Sequence, residues 1–164
     1  AYMYRFGSLR RAYQLIGYRP SQDYRFVEVN RRLRELHSEI INDTVAKIQD
    51  MGGVVRREAT TDLLVINDLM RTSIVICRCQ QSQAGSLRWK IHFDTGLRPD
   101  ITVAVRMDER NENPLDYYLL PALDVDQPHI RLLEYNGFAL DTYRFDTLEP
   151  FFMMTKPAAI QEAA

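Results

Sequence analysis

Hydrophobic residues first recur at helical spacing, in one long segment near the start of the chain. Between residues 26 and 51 they fall three and four positions apart, which is the period of an amphipathic helix. The apolar positions that define this face are Leu33, Leu36, Ile40, Ile41, Val45 and Ile48. Gly52-Gly53 ends the pattern, because glycine commonly follows the last turn of a helix. The pattern predicts one long helix over 26–51.

After Gly53 the pattern changes to short runs rich in β-branched residues, separated by turn residues. Such runs predict strands. The predicted strands begin at Val54 and then cover 62–66, 72–79, 87–93, 101–107, 115–120 and 129–133. The polar segment 80–86 predicts a hairpin loop, and Asn136-Gly137 predicts a turn. A short helix over 9–18 and a closing helix over 147–154 complete the pattern.

Helices segregated from a run of strands on short connections indicate an α+β fold. We predict a short N-terminal helix and one long helix packed on a mixed, mostly antiparallel sheet of about five or six strands. Segment 1–22 is then a basic helical segment, 23–156 the α+β domain, and 157–164 a frayed tail. The predicted core residues are Leu36, Ile40, Ile48, Leu64, Val75, Ile91 and Val103.

Composition limits the class of protein. The chain is 46% hydrophobic and 26% charged, as in ordinary globular domains, and no apolar run approaches the roughly 20 residues that span a bilayer. We therefore expect no membrane partner. Cys77 and Cys79 lie on one face of a predicted strand, which indicates buried, reduced thiols and a cytoplasmic location. Because the chain begins with Ala1 inside an aromatic and basic segment, we also expect it to be a fragment.

Charge is distributed unevenly along the chain. The net charge is -1, yet residues 4–34 hold eight arginines against two acids, and the acids concentrate late, over 115–150. A local positive field is what a polyanion requires, so DNA is the predicted partner. A solvated basic face is the alternative. An interaction domain that joins protein subunits through the acidic half is a further possibility.

Six arginines are the predicted DNA contacts. They are Arg5, Arg10, Arg11, Arg31, Arg32 and Arg88. The amides and hydroxyls of segment 80–86, together with Arg88, can contact phosphates or base edges. The alternative for this segment is a loop made polar for solubility.

A metal-dependent nuclease is the second hypothesis. Restriction-endonuclease-like enzymes place one acid at the start of a strand, and the next strand carries an acid, one intervening residue and a lysine. Residues 26–121 resemble this layout in outline: Asp62 matches the first acid. The second acid falls at Ile76, which cannot bind metal, and Arg78 stands in place of the lysine. The acidic half of the motif is therefore missing.

Other acids could supply metal ligands. Glu35 and Glu39 lie one turn apart on the predicted long helix and so share a face. Asp94 and Asp100 lie at strand ends, where solvated carboxylates are also ordinary. No cofactor is predicted, and Mg²⁺ is expected only under the nuclease hypothesis. The histidines His37, His92 and His129 are isolated in sequence and indicate no catalytic group.

Two family resemblances favour DNA binding. The run Tyr-Arg-Phe-Gly-Ser-Leu-Arg-Arg-Ala-Tyr at 4–13, with Ile-Gly-Tyr at 16–18, resembles the end of the small helical repeat associated with homing endonucleases. Segments 24–31, 84–89 and 115–121 resemble the C-terminal region of large bacterial serine recombinases. The second resemblance implies an upstream catalytic serine domain. This chain is then an accessory part that grips DNA, without catalytic activity of its own, and its partners are DNA, other recombinase domains or a second copy.

Overall fold

A computed structural model describes residues 24–93, 97–125 and 127–157. The helices are α1 (Tyr24–Asp50), α2 (Gly137–Asp141) and α3 (Glu149–Thr155). The strands are β1 (Val55–Arg57), β2 (Leu64–Ile66), β3 (Met70–Cys77), β4 (Cys79–Gln81), β5 (Leu87–His92), β6 (Ile101–Met107), β7 (Pro114–Pro121), β8 (His129–Leu132) and β9 (Arg144–Phe145). The predicted helix over 9–18 lies outside the described residues, as does the predicted tail after residue 157.

The strands form two sheets. A six-stranded sheet has the order β1-β2-β3-β6-β7-β9, in which β3 and β6 run parallel and every other neighbouring pair is antiparallel. A three-stranded antiparallel sheet has the order β4-β5-β8. The predicted α+β class, with one long helix and a mixed, mostly antiparallel sheet, is confirmed. The division into two sheets was not predicted.

Helix α1 covers one face of the six-stranded sheet. Its buried residues Leu33, Ile41 and Ile48 pack against the core of that sheet, while Leu36 and Ile40 are half-buried at its margin. The other predicted core residues are buried. The helix ends at a glycine pair, and Gly52 has φ +90, where residues with a side chain are strained. The apolar period thus identified both the helix and the face it buries.

Strand β3 separates two hydrophobic cores. Ile74 and Ile76 point into the core under α1, whereas Val75 and Cys77 point into the core between the two sheets. Cys79 also lies in this second core, so both thiols are buried, as predicted, although they belong to different strands. Burial raises the pKa of Cys77, and burial together with nearby acids raises the pKa of Cys79 to about 11. Both thiols are therefore neutral at physiological pH.

The predicted continuous strand over 72–79 is wrong, because the chain leaves the six-stranded sheet at Arg78. The side chain of Arg78 turns toward α1, where its Nη1 donates to Asn30 Oδ1 at 2.8 Å. The backbone of Cys79 then bonds the side-chain amide of Asn111, at 2.7 and 3.1 Å, instead of β6. Strand β4 begins there in the other sheet. Gln80 and Gln81 consequently belong to β4, not to the predicted loop.

His37 supports β3 beyond the point where the neighbouring strand β2 ends. Strand β2 pairs with β3 only as far as Leu64 opposite Thr72. Beyond that point, residues 73–77 pair with β6 alone among the described strands. His37 Nε2 donates to the Ile74 carbonyl oxygen at 2.8 Å, so α1 satisfies a main-chain acceptor that β2 leaves open.

Candidate nucleic-acid interface

The outer surface of the three-stranded sheet is basic. Along β5, side chains alternate between the core and the opposite surface, because successive residues of a strand point to opposite faces. The cross-strand register places Gln80 beside Arg88, Arg131 beside Lys90, and His129 beside His92. We call these six outward side chains the basic face. None of them is acidic.

Among the residues that the structure describes, the three cations of the basic face have no carboxylate partner. Arg88, Lys90 and Arg131 form no ion pair with any residue that the structure describes. The Nε of Arg88 is buried and lacks a hydrogen-bond acceptor within the same residues. Lys90 and Arg131 lie directly opposite each other, and like charges in that position destabilise a sheet. The fold therefore tolerates a local repulsion here.

The loop between β4 and β5 is closed by its own hydrogen bonds. Ser82 N donates to the Ser86 carbonyl oxygen at 2.8 Å, and Ser86 N donates to Ser82 Oγ at 3.1 Å. Gly85 has φ +89, a value that favours glycine. The Gln81 side chain donates to the Gly85 carbonyl oxygen at 3.3 Å. These contacts fix the polar end of the hairpin beside Arg88.

A cavity of about 220 Å³ lies at this end of the basic face. Its lining joins the hairpin end to the cations. The lining residues are Gln80, Gln81, Ser82, Arg88, Trp89, Lys90 and Arg131. Among the described residues, the lining includes three cations and no carboxylate, so the cavity has the electrostatics of an anion site.

Trp89 anchors the three-stranded sheet on its buried side. Its ring is buried, and its Nε1 donates to the Met107 carbonyl oxygen at 2.8 Å. The Arg106 guanidinium lies 4.4 Å from the centre of the Trp89 ring and 5.4 Å from that of Tyr118. Such cation–π contacts, together with the hydrogen bond, hold β5 against the six-stranded sheet.

Arg106 also fixes the end of β8. It forms a two-pronged ion pair with Asp116, with Nε–Oδ1 and Nη2–Oδ2 distances of 2.8 and 2.7 Å. Its Nη1 donates to the Leu133 carbonyl oxygen at 2.6 Å, just after β8. Burial alone would lower the pKa of Arg106, but the bonds and charge of Asp116 outweigh burial and raise it. Asp116 also accepts a bond from Arg144 at 3.2 Å.

Tyr118 completes this buried network. Its hydroxyl donates to Asp141 Oδ1 at 2.6 Å and accepts a bond from Asn136 Nδ2 at 2.9 Å. Burial, and then the bond to Asp141, raise the pKa of Tyr118 to about 12. Burial pushes the pKa of Asp141 upward, but the bonds from Tyr118 and Asn136 prevail and lower it. The network joins α2 and the end of β8 to the six-stranded sheet.

The residues of the nuclease hypothesis lie in different settings. Asp62 pairs with Arg57 at 3.0 Å on the surface. Ile76 is part of the hydrophobic core, and Arg78 contacts Asn30 of α1. Glu35 and Glu39 are exposed on α1, and Asp100 accepts a bond from Arg71 N at 2.8 Å. Asp94 lies outside the described residues.

The predicted DNA contacts divide into three groups. Arg88 lies on the basic face and lines its cavity. Arg31 and Arg32 are exposed on α1, where Arg31 pairs with Glu28 at 2.7 Å. Arg5, Arg10 and Arg11 lie outside the described residues. The structure thus offers two separate basic surfaces that carry predicted contacts, one on α1 and one on the three-stranded sheet.

Sequence reasoning missed Lys90 and Arg131. The alternation Leu-Arg-Trp-Lys-Ile-His over β5 was a sufficient signal that Arg88 and Lys90 share a face. Arg131 gave no such signal, because its place beside Lys90 depends on which strand β8 pairs with. His92 and His129 are isolated in sequence, yet their ring centres lie 6.1 Å apart on the basic face.

Within residues 24–93, 97–125 and 127–157, no group of three or more His, Cys, Asp or Glu side chains is arranged to hold a metal ion. No helix in the same ranges has the length and apolar character needed to cross a bilayer.

No protein-family profile matches this chain, and no curated protein compared with it does. Among solved structures, that of a bacterial homing endonuclease, I-Ssp6803I, is similar to it, with 17% sequence identity and a TM-score of 0.46. The similarity covers 79% of this chain and 96% of that one. At this identity and TM-score it assigns neither a family nor an activity.

Proposed function

We propose that this chain binds DNA through the phosphate backbone, using the basic face. The observation that supports this proposal is the trio Arg88, Lys90 and Arg131, which share one sheet surface and have no carboxylate partner within the described residues. Phosphate contacts of this kind give affinity without reading sequence.

The cross-strand repulsion gives the proposal an energetic reason. Lys90 and Arg131 oppose each other, so the sheet is less stable than it would be with an ion pair at this position. A polyanion lying across both side chains removes that repulsion and releases its own counterions. Binding and stability therefore favour different residues here, as at many functional surfaces.

In its finer form, the proposal makes the chain an accessory DNA-gripping part of a serine recombinase. This form rests on the sequence resemblance of segments 24–31, 84–89 and 115–121, and it places the catalytic serine in another domain. The N-terminal arginines and those of α1 then extend the contact with DNA. Metal-dependent cleavage through Asp62 is the competing activity.

Salt dependence of binding tests the basic face. Fluorescence anisotropy with a labelled duplex should show the apparent association constant falling with salt, by about 0.9 in log–log slope per phosphate contact. The double variant Lys90→Gln with Arg131→Gln should bind more weakly to every sequence and flatten the slope by about 1.8. The variant Lys47→Gln with Arg56→Gln removes the same charge from exposed positions elsewhere and should leave the slope unchanged.

Two results would change the proposed interface or the proposed activity. An unchanged slope in the basic-face variant would remove that surface from the interface. A flattened slope in Arg31→Gln with Arg32→Gln would then move the interface to α1. Plasmid incubation with Mg²⁺ or Mn²⁺ is the companion assay, and nicking that is lost in Asp62→Ala would replace the binding module with a nuclease.

A further inference from the structure

The cavity beside Arg88 has a lining of hydrogen-bond donors. Arg88, Lys90 and Arg131 contribute positive charge. Gln80 and Gln81 contribute amides, and Ser82 contributes a hydroxyl. The buried Nε of Arg88 has no acceptor within the described residues. Because an unsatisfied buried donor costs free energy, an acceptor that reached this atom would recover that cost.

We infer that this cavity is a site for a single phosphate group. Pockets that enclose drug-sized molecules measure roughly 300–1,000 Å³. The cavity, at about 220 Å³, is smaller and suits a tetrahedral oxyanion with a few waters. An arginine fork bonds two oxygens of such an anion at once, while a lysine acts as a point charge.

The cavity does not suit a base. Base recognition without pairing uses an exposed aromatic plane on which the base stacks. Trp89 is the aromatic residue in the lining, but its ring is buried under Arg106 and its Nε1 is already bonded to Met107. The lining therefore offers no plane on which a base could stack, and its three cations favour a charged group, which a phosphate supplies and a base does not.

The same residues lie close enough to act on one anion. Arg88 and Lys90 are two residues apart on β5, a distance of about 7 Å between their α-carbons. Arg131 lies directly across from Lys90, at about 5 Å. Long side chains at these spacings converge on one phosphate, and a shared anion relieves the repulsion between Lys90 and Arg131.

The inference rests on the proposed function only in naming DNA as the source of the phosphate. That phosphate is either at the end of a strand or within it. A terminal phosphate carries more charge and more exposed oxygens, whereas an internal one is presented wherever the backbone crosses the basic face. The chemistry of the site is common to both sources.

The ³¹P magnetic resonance signal of inorganic phosphate gives a direct readout, because it reports on the anion itself and does not depend on the Trp89 ring, which faces the core. In a titration at constant ionic strength, the linewidth of that signal should change with protein concentration in a saturable way. Arg88→Gln should weaken the apparent affinity by about tenfold or more, the equivalent of one charge-assisted hydrogen bond. Arg88→Lys retains the charge but not the fork, and should also weaken it. Arg56→Gln is the matched control and should behave as the parent.

DNA with different ends identifies the source. A short duplex with 5′-phosphates should bind more tightly than the same duplex with 5′-hydroxyls if the cavity takes a terminal phosphate, and Arg88→Gln should abolish that difference. If it takes an internal phosphate, both duplexes and a closed circle should lose affinity equally in Arg88→Gln. Either result, with the phosphate titration, supports the site.

The two proposals fail separately. If the phosphate signal does not saturate, or if folded Arg88→Gln responds as the parent does, the cavity is not a phosphate site, even where DNA binding persists. If phosphate saturates the site but DNA does not bind, the cavity is a phosphate site and the proposed DNA binding is wrong. Thermal unfolding of each variant verifies that it is folded.

Discussion

The two sheets differ in how their cations are paired with carboxylates. In the six-stranded sheet, four of the five arginines each face a carboxylate: Arg57, Arg71, Arg106 and Arg144. The fifth, Arg56, is exposed on β1. In the three-stranded sheet, Arg88, Lys90 and Arg131 face none within the described part of the chain. Arg106 and the basic face lie on opposite sides of β5, since Arg106 stacks on the buried Trp89 ring while Arg88 and Lys90 point outward.

The difference separates charge that maintains the fold from charge that is available to a ligand. Arg106 and Asp116 are almost completely buried, and each satisfies the other. Their pairing holds β7 and the end of β8 in place. The cations of the basic face make no comparable contribution to stability. Mutations in the first set should therefore change stability, and mutations in the second should change binding.

The largest effect should come from Asp116→Ala. Removing this carboxylate leaves Arg106 buried without its counter-charge, which typically costs about 3–5 kcal/mol. Urea denaturation should show that loss as a lower midpoint with a similar slope. Asp146→Ala is the control, because Asp146 is 91% exposed and pairs with Arg144 only at the surface. A cost for Asp116→Ala no larger than the roughly 1 kcal/mol of a surface pair would remove the distinction between the sets.

A smaller effect should appear at high pH. Because the pKa of Tyr118 is raised to about 12 from an ordinary value of 10.0, folding disfavours its ionisation. Its contribution to stability is complete below about pH 10 and is lost as the pH rises toward about 12. Tyr118→Phe should be less stable at neutral pH, yet its stability should fall less steeply over this window. Tyr135→Phe, at a highly exposed position, should retain the slope of the parent. Equal slopes in all three proteins would contradict the assignment.

The smallest effect should be of opposite sign. Lys90→Glu replaces a repulsive cross-strand pair with an attractive one, so the free energy of unfolding should rise by roughly 0.2–1 kcal/mol. The same change should weaken DNA binding more than Lys90→Gln does, because it places a negative charge on the basic face. Paired urea and anisotropy measurements on both variants test this. A loss of stability in Lys90→Glu would show that Lys90 has a structural partner after all.

Much of the fold could be predicted because its signals are local. The spacing of Leu33, Ile41 and Ile48 defines α1 and its buried face, and the glycines after it define its end. Of the nine strands in the described part of the chain, the β-branched runs located seven to within a few residues: β1, β2, β3, β5, β6, β7 and β8. Patterns of period and turn residues require only a few neighbouring positions to be informative.

The features that were missed depend on contacts between distant segments. The chain leaves the six-stranded sheet at Arg78 because Asn30 receives its guanidinium and Asn111 receives the backbone of Cys79. Neither partner is near in sequence. The short strand β9 and helix α2 are likewise held by Asp116 and by the Tyr118 network. The pairing of Lys90 with Arg131 belongs to the same class.

The order of strands along the chain affects how the basic face assembles. Strands β4 and β5 are neighbours in sequence and form a hairpin, whereas β8 follows β6 and β7 along the chain. Local contacts form early in folding, and contacts across long loops form late. We therefore expect Arg131 to dock last, onto a sheet already fixed by Trp89. In that order of folding, the like charges of Lys90 and Arg131 come together only when the rest of the core can hold them in place.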